Sequence, residues 1–493
     1  MKYWLGIDCG GTFIKAAAFD ATGNVAHLAR RNMPVLSEQP GYAERDPEAL
    51  WQVCAEVIRD ITAVVPAADI AAIGISAQGK GLFTLDKNGE TLGRGIISSD
   101  QRALSVVKRW QAEGIPEALY PQTRQTLWTG HPVSILRALK EQEPARYQQI
   151  AAILMAHDYL RYRLTGQIAC EETNISESNL YHFARGDYAA ELAQTLGIAE
   201  IFDVLPPIVG ATQIAGHVHE DAAKMTGLAP GTPVVGGLFD VVSTALCAGL
   251  ENERVLNVVL GTWSVVTGMT GHIDDSQQMP FVYGKSAQAG QYIVHEASPT
   301  SAANLEWVND LLGDEDYGQI NQMVAALPQA ASSVFFLPFL YGSNAGLGMQ
   351  GGFYGLQSFH QKAHLYQSVY EGVLFSLMHH LERMRQRFPD ADTLRVTGGP
   401  AKSAVWMQML ADLSGMAVEI PGVEETGCLG AAMAAMVGSG AYPDVQSASR
   451  AMQSGITRYA PNPEHQPAYA EKYRRYRLLV ESLQGFNQAL QQG

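Results

Sequence analysis

Apolar positions along this chain fall into two sets that repeat one another. In the first half, Trp4-Leu5-Gly6-Ile7 runs into Asp8-Cys9-Gly10-Gly11-Thr12, and a second apolar run, Ile14 to Phe19, follows with Thr22-Gly23-Asn24 as a turn beyond it. Apolar runs joined by a glycine turn predict strand, turn, strand. Leu50, Cys54, Val57, Ile58 and Ile61 then recur at helical spacing, which predicts an amphipathic helix leading through Ile70 into a strand at Ala72-Ile73-Gly74-Ile75-Ser76.

The second half carries the same series. Val255 to Leu260, the turn Gly261-Thr262 and Val265 to Gly268 read as strand, turn, strand. Leu365, Val369, Val373, Leu377, Leu381 and Met384 predict a longer helix, followed by a strand at Leu394 to Thr397 that ends in Gly398-Gly399-Pro400. A single repetition at about half the chain indicates duplicated domains and not a solenoid. No Pro/Ser-rich linker intervenes, and Ala248 to Glu253 is the best boundary. The expected organisation is an α/β protein with domains 1–247 and 248–493 and a ligand-binding cleft between them.

Composition narrows the partners. With 493 residues, 47% hydrophobic and 17% charged, the chain is long enough for two cores and is neither disordered nor membranous. A formal charge of −15 disfavours a nucleic-acid partner, because phosphate backbones call for a basic stripe. A small-molecule ligand is easier to reconcile, and a homodimer is left open. The five cysteines, Cys9, Cys54, Cys170, Cys247 and Cys428, form no C-x-x-C pair, so buried reduced thiols and a cytoplasmic location are expected. Met1-Lys2-Tyr3 runs directly into the first strand, leaving no signal peptide.

The two glycine-threonine turns are the first candidates for chemistry. At Gly10-Gly11-Thr12, small residues let backbone N–H groups meet an anion and the threonine hydroxyl adds a donor. Asp8 at the strand end is placed to hold hydrated Mg²⁺, and Lys15 could add a point charge. An ordinary glycine hairpin has the same pattern, but a second turn at Gly261-Thr262 in the equivalent place favours phosphate binding. No Walker A loop occurs, and Gly74-Ile75-Ser76-Ala77-Gln78 lacks the second glycine of a nucleophile elbow.

Asp240 follows Gly236-Gly237-Leu238-Phe239 and precedes a short-residue helix start. An aspartate there is often only a helix cap. The two glycines would let the backbone approach a ligand, however, and Phe239 would wall the carboxylate, which also suits a general base taking a hydroxyl proton in phosphoryl transfer.

Taken in order, Asp8-Cys9-Gly10-Gly11-Thr12-x-x-Lys15, Gly237-Leu238-Phe239-Asp240, Gly261-Thr262, Thr397-Gly398-Gly399-Pro400-Ala401-Lys402-Ser403 and Gly427-Cys428-Leu429-Gly430-Ala431-Ala432 resemble the FGGY carbohydrate kinases from end to end. The resemblance implies two duplicated actin-like (ribonuclease H-like) ATPase domains, with ATP and Mg²⁺ in the cleft and a polyol or ketose on the N-terminal side. Carried over by position, Asp240 would be the base and Asp8 the metal residue. Gly10, Gly11, Thr12, Lys15, Gly261 and Thr262 would hold phosphates, and Gly398, Gly399 and Ser403 would line the adenosine pocket. The run Gly427 to Met436 would be the helix closing that pocket, though a small-residue helix packed in a core reads the same.

Sugar choice is expected from Gln78-Gly79-Lys80-Gly81 and Ser98-Ser99-Asp100-Gln101-Arg102. These loops, with Leu127-Trp128-Thr129-Gly130-His131-Pro132, are most similar to the subgroup acting on L-xylulose and 3-keto-L-gulonate. The departures from the usual D-xylulose and glycerol kinase loops make those substrates, or another polyol, the alternatives; a non-catalytic actin-like ATP-binding module is the rival outside catalysis. Gln78 and Asp100 would meet sugar hydroxyls, beside Gly79, Trp128, His131 and Phe239. Lys80 would meet a sugar-acid carboxylate, unless it is a solvated loop lysine, and His131 is equally well a packed or surface histidine. Glu171-Glu172 with Glu177 is expected to be a solvated acidic loop, and Trp307, with Leu305 and Leu311, is expected in a core.

Overall fold

The computed structural model describes residues 1–261, 263–274, 281–346, 348–453 and 455–492. The chain forms two compact units: Met1–Gly249 with Thr270–Val294 and Val423–Gln453, and Leu250–Met269 with His295–Gly422 and Ser454–Gly493.

The first unit is built on a mixed sheet. The strands Tyr3–Cys9 and Phe13–Phe19 pair antiparallel as the expected hairpin, with Val25–Asn32 next to the second of them. Tyr3–Cys9 also pairs parallel with Ile70–Ala77, in a register that sets Asp8 opposite Ser76 and Cys9 opposite Ala77. Beyond Ile70–Ala77 lie Pro233–Val235 and then Ile214–His217, while the two-residue strand Leu238–Phe239 sets Leu238 opposite Ser76 and Phe239 opposite Ala77. Asp8 and Asp240 therefore come to the same end of the parallel strands.

The helix Pro47–Thr62 makes the parallel crossover. It starts where the sequence provides an acceptor and a preset φ: Asp46 accepts from the Ala49 N–H at 2.8 Å and Pro47 opens the helix. Its buried face is Leu50, Trp51, Cys54, Val57, Ile58 and Ile61, the predicted stripe plus one tryptophan.

The second unit repeats the plan. Val255–Leu260 pairs antiparallel with Ser264–Thr270 and parallel with Thr393–Thr397, which is followed by Ala417–Ile420 in parallel and Thr457–Tyr459 in antiparallel pairing. The long helix Lys362–Arg387 leads into the parallel strand, as the periodicity predicts. Across both sheets the hairpin is followed by two parallel strands and an antiparallel edge strand, although in the first unit that edge strand, Ile214–His217, precedes its neighbour Pro233–Val235 in the chain. Trp307 departs from expectation: it is 44% exposed, because on the helix Ala303–Leu312 it shares an outward face with Leu311, while Leu305, Val308 and Asn309 point inward.

One late segment belongs to the first unit. The helix Thr426–Gly438 has Cys428 through Met436 buried without interruption, and it lies across the parallel strands at backbone distance. A Cβ at Gly6 would stand 1.8 Å from the Cys428 carbonyl oxygen, and one at Gly74 would stand 2.0 Å from that of Ala431. All five cysteines are buried and unpaired, and no helix among the described residues is long and apolar enough to cross a membrane.

This contact makes Gly74→Ala an informative substitution. In a strand, glycine to alanine ordinarily gains about 0.5–1 kcal/mol from backbone entropy. Here the added methyl meets a backbone oxygen that cannot rotate away, so the expected result is a loss of about 1–3 kcal/mol, read as a lower urea midpoint. A midpoint equal to or above that of the parent would show that the helix does not ride on the strand this closely.

Candidate active site

Asp8 ends the first strand, paired across the hairpin with Lys15. Its carboxyl abuts the start of the helix Thr426–Gly438: a Cβ at Gly427 would lie 2.3 Å from Asp8 Cγ, so only glycine fits there. Burial drives the Asp8 pKa up to about 6, with Lys15 pulling it down and Glu425 pushing it further up. Lys15 itself is bonded at 2.7 Å to Glu425, the left-handed residue (φ 52°) that precedes the helix.

The first glycine turn is held from behind by Arg45, a fully buried residue with no motif to announce it. Its guanidinium donates to the Gly10 and Gly11 carbonyls at 2.8 and 2.7 Å and to Cys9 Sγ at 3.4 Å. The Gly10 N–H is spent on the Phe13 carbonyl at 3.0 Å. Gly11 and Thr12 remain exposed, and a Cβ at Gly11 would meet nothing within 4 Å. That open side is where an anion could reach the backbone. In the second unit the Gly261 N–H is likewise spent on the Trp263 carbonyl at 3.0 Å; Thr262 lies outside the described residues.

Asp240 is the first residue of the helix Asp240–Cys247, whose cap position is Phe239. Its pKa is pushed up to about 7, first by burial and next by the charge of Asp8, against the pull of the Val241 N–H and of Lys80. Gly237 gives the approach its shape: φ is 95°, and a Cβ would stand 2.3 Å from the Ile75 carbonyl oxygen. Gly79 clears the space for the Phe239 ring, since a Cβ there would lie 2.4 Å from it.

A buried polar network fixes this segment. Arg161 donates to the Gly236 carbonyl and pairs with Asp158 at 3.0 Å. The Thr173 hydroxyl accepts from the Phe239 N–H at 3.0 Å and donates to Glu171 at 2.7 Å. His157 lies 3.3 Å from Glu171. The expectation of a solvated acidic loop is therefore corrected: Glu171 and Glu177 are fully buried, because His157, Thr173 and Lys80 satisfy them. Single-sequence patterning could not distinguish this from a loop: Thr173 is local, but His157 and Lys80 come from other elements.

The sugar-loop residues sit in different environments. Lys80 is buried and not a solvated lysine, and it is ion-paired with Glu177. Gln78 is half-buried. Asp100 is fully buried and accepts four bonds: the Arg102 N–H and Nε at 2.9 Å on Oδ1, and the Ala43 N–H at 2.7 Å with a second guanidinium nitrogen at 2.9 Å on Oδ2. Those four donors fill a carboxylate's lone-pair positions. His131 is buried, accepts from the Trp128 N–H at 3.1 Å and meets the Trp128 ring edge-on at 5.9 Å.

The adenosine candidates lie in the second unit. Gly398 (φ 102°) would bring a Cβ to 2.0 Å from the Leu260 carbonyl oxygen, while Gly399 is open on its Cβ side. Ser403 caps the helix Ala404–Ser414, accepting from the Trp406 N–H at 3.2 Å and donating to Asn321 at 2.6 Å. Behind it Tyr370 and Trp406 stack at 4.1 Å.

Residues 3–247 match the N-terminal domain and residues 256–439 the C-terminal domain of the FGGY family of carbohydrate kinases. The chain is 62% identical to a Pasteurella multocida protein named "Probable L-xylulose kinase", over 98% of this chain and 99% of that one. It is 57% identical to the L-xylulose/3-keto-L-gulonate kinase of Escherichia coli, over 99% of this chain and 98% of that one. In fold it is similar to a ligand-bound xylulose kinase from Lactobacillus acidophilus, with a TM-score of 0.91 and 22% identity over 98% of both chains. The duplicated α/β plan, the matched domains and these identities over nearly the full length establish that the chain belongs to the FGGY family of carbohydrate kinases.

Proposed function

We propose that this kinase transfers the γ-phosphoryl group of ATP to a ketose or keto-sugar acid, L-xylulose or 3-keto-L-gulonate, with Asp240 as general base. The observation that carries the reading is a carboxylate raised to about 7, next to a strand-end aspartate and behind two glycines that bring the backbone close. The names of the relatives at 57–62% identity support the substrate class.

As the sugar oxygen bonds to the γ-phosphorus, its proton passes to the Asp240 carboxylate, the bond from phosphorus to the β–γ bridging oxygen breaks, and ADP leaves. A base of pKa near 7 holds the proton well enough to help the attack and releases it readily at neutral pH. Gly11 and Thr12, with Gly10 shaping their turn, bind phosphates, as do Gly261 and Thr262. Lys15 joins them by exchanging Glu425 for phosphate, and Gly398, Gly399 and Ser403 serve the adenosine.

The Asp8 carboxylate suits a hydrated Mg²⁺: burial raises it for want of positive charge, and oxygen is the donor that ion prefers. Bound there, Mg²⁺ would supply compensation for the phosphate charges. On the sugar side, Gln78 reads hydroxyls with its amide, flanked by Gly79, Lys80, Trp128, His131 and Phe239. Asp100 joins only where a sugar hydroxyl displaces one of its four donors. The buried unpaired thiols suit a reducing cytoplasm.

An ADP-release assay over L-xylulose, 3-keto-L-gulonate, D-xylulose, L-ribulose and glycerol tests the substrate class. Sugar-dependent turnover is expected with the first two; turnover confined to D-xylulose or glycerol would overturn it. Asp240→Asn should retain ATP binding and lose about 10²–10⁴ in kcat, the usual worth of a general base; near-parent turnover would remove Asp240 from that role. Because the base works only when ionised, kcat/KM should fall as pH drops through an acid limb close to 7, and not near the ordinary aspartate value of 3.8. A limb near the ordinary value would show a base that is not raised.

A further inference from the structure

Lys80 is held in a conformation and an environment that a loop lysine rarely adopts. Its φ is 60°, in the left-handed region that favours glycine. Its N–H donates to Asn174 Oδ1 at 2.9 Å, and its ammonium pairs with the fully buried Glu177 while lying 4.9 Å over the ring of Phe239, the residue before Asp240.

Room for this arrangement is built in by other segments. A Cβ at Gly284 would stand 2.2 Å from Glu177 Oε1, so glycine at that position lets the glutamate occupy its place. The neighbouring Lys285 N–H donates to the Ser176 hydroxyl at 3.0 Å, tying the strand Val282–Lys285 to the glutamate's own segment. Three stretches of chain thus converge to set one carboxylate against one ammonium.

A buried ammonium without a counter-ion is costly, and a paired one is already dehydrated and neutralised. A substrate carboxylate approaching Lys80 would therefore compete with a carboxylate that is covalently tethered and needs no further desolvation. We infer that Glu177 is a specificity-determining positioning residue: by fixing Lys80 and cancelling its charge, it biases the sugar subsite toward neutral ketoses and restrains binding of sugar acids. This rests on the substrate class proposed above and runs against the simpler expectation that Lys80 reads a carboxylate directly.

The test is the ratio of kcat/KM for 3-keto-L-gulonate to that for L-xylulose, with KM and kcat resolved separately. Glu177→Gln frees the ammonium, and the ratio should rise by about tenfold through a lower KM for the acid, a change expected of one exposed charge in a partly dry site. The gain should vanish in Glu177→Gln combined with Lys80→Met, because it acts through Lys80. Glu177→Asp, which keeps the charge but shortens its reach, should give a smaller rise and serves if the glutamine variant does not fold. An unchanged or lowered ratio in the folded single variants, or a gain that survives loss of Lys80, overturns the inference. Parent enzyme silent on both sugars would instead overturn the substrate class, so the two failures are told apart.

Discussion

The site on the first unit depends on one steric constraint: a helix laid on parallel strands with no side chain between them. Gly6 and Gly74 admit the Cys428 and Ala431 carbonyls, Gly430 admits the Ser243 side chain at what would be 2.0 Å from its Cβ, and Gly427 admits the Asp8 carboxyl. Four glycines on three elements therefore determine where the helix Thr426–Gly438 begins. Its start, in turn, sets the helix end against the half-buried Asp8 carboxyl. A helix N-terminus favours an anion by a few tenths to about 1 kcal/mol, yet the Asp8 pKa still rises to about 6. Desolvation wins because the same glycines that bring the helix end close also strip part of the water from the carboxyl.

From that partial burial the electrostatics at this end of the sheet follow. The Asp8 charge adds to Asp240's cost of ionisation, and the cations at hand are only partly available to offset it: Lys15 is shared with Glu425 and Lys80 with Glu177. Each lysine that could have served as a plain positive charge is instead one half of a pair. The unit thus keeps two carboxylates near neutral pKa while holding its cations in fixed positions. A site that brings a polyanionic nucleotide to a hydroxyl needs a proton acceptor more than it needs a resting excess of positive charge.

Duplication explains what the two units share and where they part. The glycine turns close alike, with the Gly10 and Gly261 N–H groups spent internally and an exposed aromatic, Phe13 or Trp263, following each turn. The residues around them have diverged. Arg45 backs the first turn, whereas in the second unit Gly398 presses against the Leu260 carbonyl beside the turn. The pattern of strands is shared because hydrophobic alternation and glycine turns specify it locally, whereas the fixtures around each turn differ.

The sequence by itself determined the strand-turn-strand repeats, the two long helices and the positions of Asp8 and Asp240 at strand and helix ends, because periodicity and turn chemistry act over a few residues. It also determined the family, through motifs spread from Asp8 to Ala432. Tertiary structure alone decided that Glu171 and Glu177 are buried, that Asp100 is saturated by Arg102 and Ala43, that Arg45 supports the first turn, and that Trp307 faces outward. Most of these depend on a partner from a distant segment, as with Ala43 for Asp100, Lys80 for Glu177 and Arg45 for Gly10 and Gly11, or on a choice between two faces of one helix. Charge partners and solvent exposure are properties of packing, and a local pattern of residues carries neither.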